Sequence, residues 1–341
     1  MSLTRRLSLL GGLGGLAAGV APAIVRAQRP PLRVQCMGGA VEKIIREDIL
    51  PGFEKQHGME VQLIVEDDVT ILPKLQVSRG RAPYDVCLMD NDKAILGAEA
   101  GLWAPDVSGR LSNIGAILPS CKPPATAHYA NIVFEYALVA RTDNGKPPVA
   151  AWADLWTPGL TVAVPHVTQG YGLVFLYIAA MLNGGSARNL DPGFAAIKRL
   201  GSYKVYRSVS QGLSLFQQKE VDAGLFYVHR AQQMINAGLP VAKIAAREGV
   251  WGMRTGLQIP KNTGAMDGAV AWVDTMLSAP AQTAMAKGLY GPTNRNVVYT
   301  PEMTRDLIPL SHVDEIREAP WSEILPQRDA ILDKWTRELG A

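Results

Sequence analysis

The sequence contains few of the residues from which metal, disulfide and haem sites are built. Its 341 residues include three cysteines, Cys36, Cys87 and Cys121, and five histidines. The cysteines form no Cys-x-x-Cys pair and no haem-attachment motif, and the histidines lack the spacing of metal ligands. Cys36 and Cys87 fall on segments that we predict to be neighbouring parallel strands, where disulfide geometry is rarely met. We therefore expect buried free thiols, no metal site and no cofactor.

Motifs that mark common enzyme sites are also missing. The sequence has no Gly-x-Ser-x-Gly elbow, no His-Glu-x-x-His, no P-loop and no Gly-x-Gly-x-x-Gly that opens a helix. We therefore predict a protein that is not an enzyme. Because one fold can host unrelated functions, an exported enzyme is kept as an alternative.

The small positive net charge comes from the first 27 residues. The chain has 34 Lys and Arg against 31 Asp and Glu, and Arg5, Arg6 and Arg26 account for the excess. Without a basic patch, nucleic acid and anionic membranes are not expected as partners. After residue 27, no apolar run reaches the about 20 residues that a membrane span needs.

Residues 1–27 have the pattern of a twin-arginine export signal. Arg5 and Arg6 precede a glycine-laced apolar run from Leu9 to Val25, and Val25-Arg26-Ala27 resembles a small-residue cleavage site. An apolar helix retained in the fold is the alternative, but it requires neither the arginine pair nor the cleavage pattern. We therefore expect export to the periplasm, with cleavage near Ala27.

Strand and helix patterns alternate in two blocks after the signal. Leu32–Met37, Met59–Val65 and Tyr84–Met89 are predicted strands of the first block, and Thr161–Val164 and Asp222–Tyr227 of the second. Such alternation predicts an α/β fold with mostly parallel sheets flanked by helices. The remaining chain, about 314 residues, exceeds what one hydrophobic core usually serves, so two domains are expected.

A set of short motifs gives the chain a family resemblance. The motifs are Leu50–Gly58, Tyr84–Val86, Ala100–Leu102, Trp152–Trp156, Glu248–Gly249 and Pro280–Gln282. In this order they resemble the extracellular solute-binding proteins of ABC importers, in particular the group around the spermidine/putrescine-binding proteins. Each motif is weak alone, and Trp-Ala-Asp-Leu-Trp together with the others is fairly specific.

The resemblance implies a two-lobed periplasmic-binding-protein fold of type II. One lobe would contain residues 28–135 plus 256–300, the other residues 138–252 plus 305–341, and crossing strands would form the hinge. The implied function is capture of a small polar organic solute between closing lobes and its delivery to the permease and ATPase of an ABC importer, by a monomer. A receptor that hands its ligand-bound state to a sensor protein is a further alternative.

In open α/β sheets, ligands bind beyond the carboxyl ends of the strands. In the first lobe these ends carry Gly38, Gly39, Asp90, Asn91 and Asp92. The acids are candidates to bind an ammonium or hydroxyl group through charge-assisted hydrogen bonds. Capping of the following helix is the alternative role for Asp90.

In the second lobe, a loop with His166, Thr168, Gln169 and Tyr171 precedes an apolar helix. The free N–H groups at the start of that helix suit an anionic or carbonyl group. Capping by Thr168, a surface position for His166 and packing by Tyr171 are the alternatives.

Four further candidates lie later in the second block, after residue 226. Tyr227 and His229 follow a predicted strand, and the resemblance places Tyr227 where polyamine-binding relatives carry an aromatic residue of the cleft. Trp251 and Arg254 lie near the second crossing, where Arg254 is a candidate to clamp a carboxylate through two hydrogen bonds.

The sequence departs from two patterns of the family. His166–Gly172 contains no acid, and Met253-Arg254-Thr255 stands where polyamine binders carry an aromatic residue and an acid. Tyr227 is followed by Val228 rather than by the second tyrosine of ferric sites. We therefore predict a zwitterionic or carboxylated solute rather than a polyamine or a metal.

Overall fold

The structure, a computed structural model, describes residues 30–78, 80–122, 127–143 and 149–340. Within these ranges, nine strands join into one sheet. The strands are β1 (Leu32–Cys36), β2 (Val61–Val65), β3 (Val86–Asp90), β4 (Tyr129–Arg141), β5 (Thr161–Pro165), β6 (Ser202–Tyr206), β7 (Ala223–Tyr227), β8 (Val241–Ile244) and β9 (Trp251–Gln258). The predicted export signal lies outside the described residues.

The sheet consists of two parallel groups of strands joined by two long antiparallel ones. The order is β2-β1-β3-β9-β4-β7-β5-β6, with β8 beside β4. β1 is parallel to β2 and β3, and β5 is parallel to β6 and β7. β4 pairs with β9 over Tyr129–Tyr136 and then with β7 and β8 up to Arg141. β4 is buried over all its residues except Arg141, which explains its nearly continuous apolar sequence.

Helices cover both faces of the sheet, as parallel strands require. They are α1 (Ala40–Ile44), α2 (Leu50–His57), α3 (Ile71–Val77), α4 (Asn91–Glu99), α5 (Gly170–Leu182), α6 (Asp191–Lys198), α7 (Val209–Gln217), α8 (Val228–Asn236), α9 (Met266–Met276), α10 (Ala279–Lys287), α11 (Pro301–Asp306), α12 (Trp321–Ile324) and α13 (Arg328–Leu339). A π-helical turn, Ile45–Ile49, links α1 to α2 just before Pro51. In the described part of the chain, no helix has the length and apolarity to cross a membrane.

Two large hydrophobic cores lie at the two ends of the sheet. The first core packs around β1 and β3 and contains Phe53 and Trp272, and it also includes Val313 and Ile316. The second packs around β5 and β7 and takes in the chain again from Ala319 onward. The predicted cysteine state is confirmed, because Cys36, Cys87 and Cys121 are all buried and free.

Candidate functional site

An open cleft of about 440 Å³ lies between the carboxyl ends of the two parallel groups of strands. The residues that line it are Met37, Gly38, Val41, Asp67, Asp68, Val69, Asp90, Lys93, Phe134, Gln169, Gly170, Tyr171, Arg207, Ser208, Val209, Tyr227, His229, Arg230 and Tyr290. Many of these residues end a strand, or follow one of the six parallel strands within a few residues. The cleft therefore lies where α/β sheets place their ligands.

One side of the cleft, here called the acidic wall, consists of Asp67, Asp68, Asp90 and Lys93. Asp67 and Asp68 follow β2, Asp90 ends β3, and Lys93 lies in the first turn of α4. The Lys93 ammonium is 3.5 Å from Asp68 Oδ2 and 3.7 Å from Asp90 Oδ2. It is also 3.2 Å from Asp92 Oδ1, behind the lining. The wall thus carries its own cation.

Burial controls the protonation of the acidic wall. Loss of water raises the pKa of Asp90 to about 7, with Lys93 opposing the rise and Asp68 and Asp92 adding to it. Thr255 donates its hydroxyl hydrogen to Asp90 Oδ1. Burial alone would lower the pKa of Lys93, but its three carboxylate neighbours raise that pKa above its ordinary value. Lys93 is therefore charged throughout the physiological range, whereas Asp90 titrates within it.

The opposite side, here called the basic wall, consists of Arg207 and Arg230 with the helix starts beside them. Arg207 follows β6 directly, and Arg230 lies in the first turn of α8. Arg230 donates from Nη1 to Gln233 Oε1 at 2.9 Å, while its buried Nε has no hydrogen-bond partner among the described residues. Within the same ranges, neither arginine has a carboxylate within 4.0 Å of its guanidinium. Both cations are therefore available to an anion.

Three helices begin at the basic wall and direct free N–H groups towards the cleft. α5 begins at Gly170, α7 at Val209 and α8 at Val228. The first N–H groups of a helix have no partner inside it and carry a partial positive charge. Gly170 makes a close approach to the acidic side possible, since a Cβ there would lie 2.8 Å from Met253 Cε and 3.4 Å from Asp92 Oδ2.

Aromatic rings form the floor of the cleft. Phe134 of β4 lies 5.5 Å from Tyr227, 5.4 Å from His229 and 5.6 Å from Tyr290, measured between ring centroids. Tyr171 lies 5.1 Å from Tyr227. Burial, with Arg230 nearby, lowers the pKa of His229 to about 3, so its imidazole is neutral at physiological pH. The floor suits the uncharged body of an organic solute.

The structure brings six of the thirteen candidate residues into the lining of the cleft. These are Gly38, Asp90, Gln169, Tyr171, Tyr227 and His229. Their contact with a solute stays a prediction. Gly39 precedes α1 with a φ of 74°, Asn91 and Asp92 belong to α4 behind the lining, and Thr168 is exposed outside it.

The remaining candidates, His166, Trp251 and Arg254, lie outside the lining for physical reasons. The Arg254 guanidinium is buried and forms an ion pair with Glu318, its Nη1 lying 3.1 Å from Glu318 Oε2. His166 is buried, with its Nδ1 2.9 Å from Thr168 Oγ1. Trp251 packs in the second core beside Tyr177. Arg254 thus stabilises a crossing strand through the carboxylate of Glu318, and its contact with a solute stays a prediction.

Sequence reasoning missed most of the residues that determine the charge of each wall. Asp67, Asp68 and Lys93 line the acidic wall, and Arg207 and Arg230 form the basic wall. A usable signal existed for some of them. Asp67 and Asp68 lie two and three residues after a predicted strand, so the rule that selected Asp90 also applies to them. Among the described residues, no group of three or more His, Cys, Asp or Glu side chains is placed to hold a metal ion.

Comparison with known proteins shows the family to which the chain belongs. The family described as bacterial extracellular solute-binding protein matches residues 32–288. The spermidine/putrescine-binding periplasmic protein of Escherichia coli is 20% identical over 306 residues, which cover 86% of this chain and 88% of the relative.

Solved structures share the fold at low sequence identity. An ABC transporter protein from Clostridium perfringens has a TM-score of 0.80 and 23% identity, covering 90% of this chain and 99% of its own. A GABA receptor has a TM-score of 0.76 and 19% identity, covering 90% and 96%. The predicted two-lobed periplasmic-binding-protein fold is confirmed. The chain belongs to the bacterial extracellular solute-binding proteins, which capture small solutes for membrane permeases.

Proposed function

We propose that the chain binds a small organic solute with a carboxylate group, zwitterionic or purely anionic, for an ABC importer. The observation that carries this proposal is the contrast between the two walls. The acidic wall contains Lys93 as its own counter-ion, whereas Arg207 and Arg230 have no carboxylate of the described chain within ion-pair distance. A bound carboxylate would supply the missing anion, because guanidinium groups match carboxylates in geometry and charge.

The other parts of the cleft suit the rest of such a solute. The helix starts at Gly170 and Val209 add N–H donors for the carboxylate. The rings of Phe134, Tyr227 and Tyr290 would cover an apolar body. Asp67, which is exposed at the cleft, would take an ammonium group where the solute has one. The structural relative described as a GABA receptor supports the zwitterionic variant of this proposal.

Binding would be coupled to a closing motion about β4 and β9. We assign residues 28–135 plus 256–300 to one lobe and residues 138–252 plus 305–341 to the other. The two separate hydrophobic cores support this division, although Val313 and Ile316 pack with the first core and the second resumes at Ala319. Closure around the solute would give the permease and its ATPase a form that differs from the empty one.

Location and assembly complete the proposal. Twin-arginine export, directed by residues 1–27, would deliver the folded protein to the periplasm, where it would act as a monomer. The family and the fold are those of binding proteins, which supports a role without catalysis.

A thermal-shift screen followed by calorimetry tests the solute class. The panel contains amino acids, ω-amino carboxylates such as GABA, dicarboxylates, putrescine and spermidine. A binder stabilises the native state by about 2.7 kcal/mol at a hundredfold excess over Kd. We expect carboxylated compounds to raise the melting temperature. Tight binding of spermidine without binding of any carboxylated compound would contradict the proposal, and turnover of the bound compound would favour the enzyme alternative.

A further inference from the structure

Lys93 lies at the centre of the acidic wall. Its ammonium has three carboxylates around it: Asp92 at 3.2 Å, Asp68 at 3.5 Å and Asp90 at 3.7 Å. The Lys93 side chain is only 14% exposed, so water screens these interactions little. A bound alkylamine would need the same surroundings for its ammonium end, namely several carboxylates that accept its hydrogen bonds.

We propose that Lys93 determines the specificity of the cleft. Its ammonium occupies the position that the amine end of a bound solute would otherwise take. The inference rests on the proposed function and narrows the solute to compounds with an anionic group and at most one cationic end. The anionic group would meet Arg207 and Arg230, and a single ammonium would meet Asp67 at the edge of the acidic wall.

The same arrangement disfavours a diamine at both of its ends. One amine end would approach Lys93, and the other would approach Arg207 and Arg230 across the cleft. Like charges repel, and repulsion of a wrong ligand contributes to specificity as attraction of the right one does. The low identity to the spermidine/putrescine-binding relative leaves room for this difference in solute.

Replacement of the lysine tests the proposal. Lys93→Met keeps an unbranched side chain and removes the charge, which leaves Asp68, Asp90 and Asp92 without their cation. In calorimetry with putrescine at pH 8.5, we expect no detectable binding to the wild type, and binding to the variant with a Kd at least about tenfold below the detection limit. The gain should shrink at pH 6, because Asp90 without Lys93 takes up a proton more readily.

Two control variants test whether the gain in putrescine affinity depends on removing the positive charge at position 93. Lys93→Arg keeps a cation in the cleft and should show no gain. Lys74→Met removes a lysine that forms an ion pair with Glu66 outside the cleft, and it should also leave putrescine binding unchanged. A gain in either control of the size seen for Lys93→Met would contradict the proposal.

The remaining outcomes also decide the question. Tight putrescine or spermidine binding by the wild type would overturn the inference while the protein remained a solute binder. If Lys93→Met does not fold, the double variant Lys93→Gln/Asp92→Asn removes one charge of each sign and leaves Asp68 and Asp90 free for the diamine. It should show the same gain, and no gain would overturn the inference. A wild type that binds no carboxylated compound, together with a gain for Lys93→Met, would contradict only the proposed function.

Discussion

The two walls of the cleft differ in whether their charged groups form ion pairs within the described chain. In the acidic wall, Asp68 and Asp90 share the ammonium of Lys93, and Thr255 donates a further hydrogen bond to Asp90. In the basic wall, the described residues supply no carboxylate to Arg207 or Arg230. The basic wall is the one that a solute would complete, since guanidinium groups match carboxylates in geometry and charge. The proposed function therefore makes the anionic group of the solute the feature that the cleft should select most strongly.

The largest expected effect comes from removing the cations of the basic wall. Arg207→Gln/Arg230→Gln should weaken binding of a carboxylated solute by about 3 to 6 kcal/mol, since a hydrogen bond to a charged group is worth about 1.5 to 3 kcal/mol. This corresponds to a loss of more than about a hundredfold in affinity, measured by calorimetry. Arg188→Gln, at an exposed arginine outside the cleft, should leave affinity unchanged. Equal affinity of the double variant and the wild type would place the anion elsewhere.

The second largest expected effect is the loss of folding stability at acid pH that His229 causes. Its folded-state pKa of about 3 lies below its ordinary value of 6.5 because of burial. As the pH falls below about 6.5, His229 binds a proton in the unfolded chain but not in the native protein, so the native state loses stability. Between pH 6.5 and 5.0 this loss amounts to about 2 kcal/mol, and His229→Phe should remove it. Urea unfolding at both pH values measures the difference, and His312→Phe, at an exposed histidine, should keep the wild-type pH dependence.

Asp90, in the acidic wall, should change stability with pH in the direction opposite to His229. Its folded-state pKa of about 7 lies above its ordinary value of 3.8, chiefly because of burial. From about pH 4 to pH 7 the native protein holds a proton that the unfolded chain has lost, so stability falls as the pH rises. Asp90→Asn should reduce this fall between pH 5 and pH 7 by about 1 to 2 kcal/mol in urea unfolding. Asp329→Asn, an exposed acid in the first turn of α13, is the matched control. An unchanged pH profile for Asp90→Asn would show that Asp90 does not carry the effect.

The residues that sequence reasoning placed at the cleft share one property. Gly38, Asp90, Gln169, Tyr171 and Tyr227 all lie at or shortly after the end of a strand with a clear apolar pattern. Their position follows from the rule for α/β sheets and needs no knowledge of side-chain contacts.

The residues that were missed come from segments whose role depends on tertiary structure. β6 has the sequence Ser-Tyr-Lys-Val-Tyr, with exposed Ser202 and Lys204. Its apolar pattern is therefore too weak to predict a strand, and so the sequence does not indicate that Arg207 lies at a strand end. Tyr290 follows α10 and reaches the floor of the cleft only because the chain returns there. The sequence also does not reveal that Glu318 forms an ion pair with Arg254 across 64 positions.

The smallest expected effect distinguishes two neighbouring tyrosines of the second hydrophobic core. Tyr171 and Tyr206 are both buried, and their rings stack with centroids 5.9 Å apart. The Tyr206 hydroxyl donates to the Leu225 carbonyl at 2.7 Å, whereas the Tyr171 hydroxyl has no hydrogen-bond partner among the described residues. Tyr206→Phe should therefore cost about 1 kcal/mol in the free energy of unfolding, and Tyr171→Phe less than about 0.5 kcal/mol. Because Tyr171 lines the cleft, a loss of solute affinity in Tyr171→Phe without a loss of stability would show that the solute supplies the missing partner. Unchanged affinity in calorimetry would instead show that Tyr171 only packs against Tyr227. The charged residues of the two walls would then account for the selection of the solute.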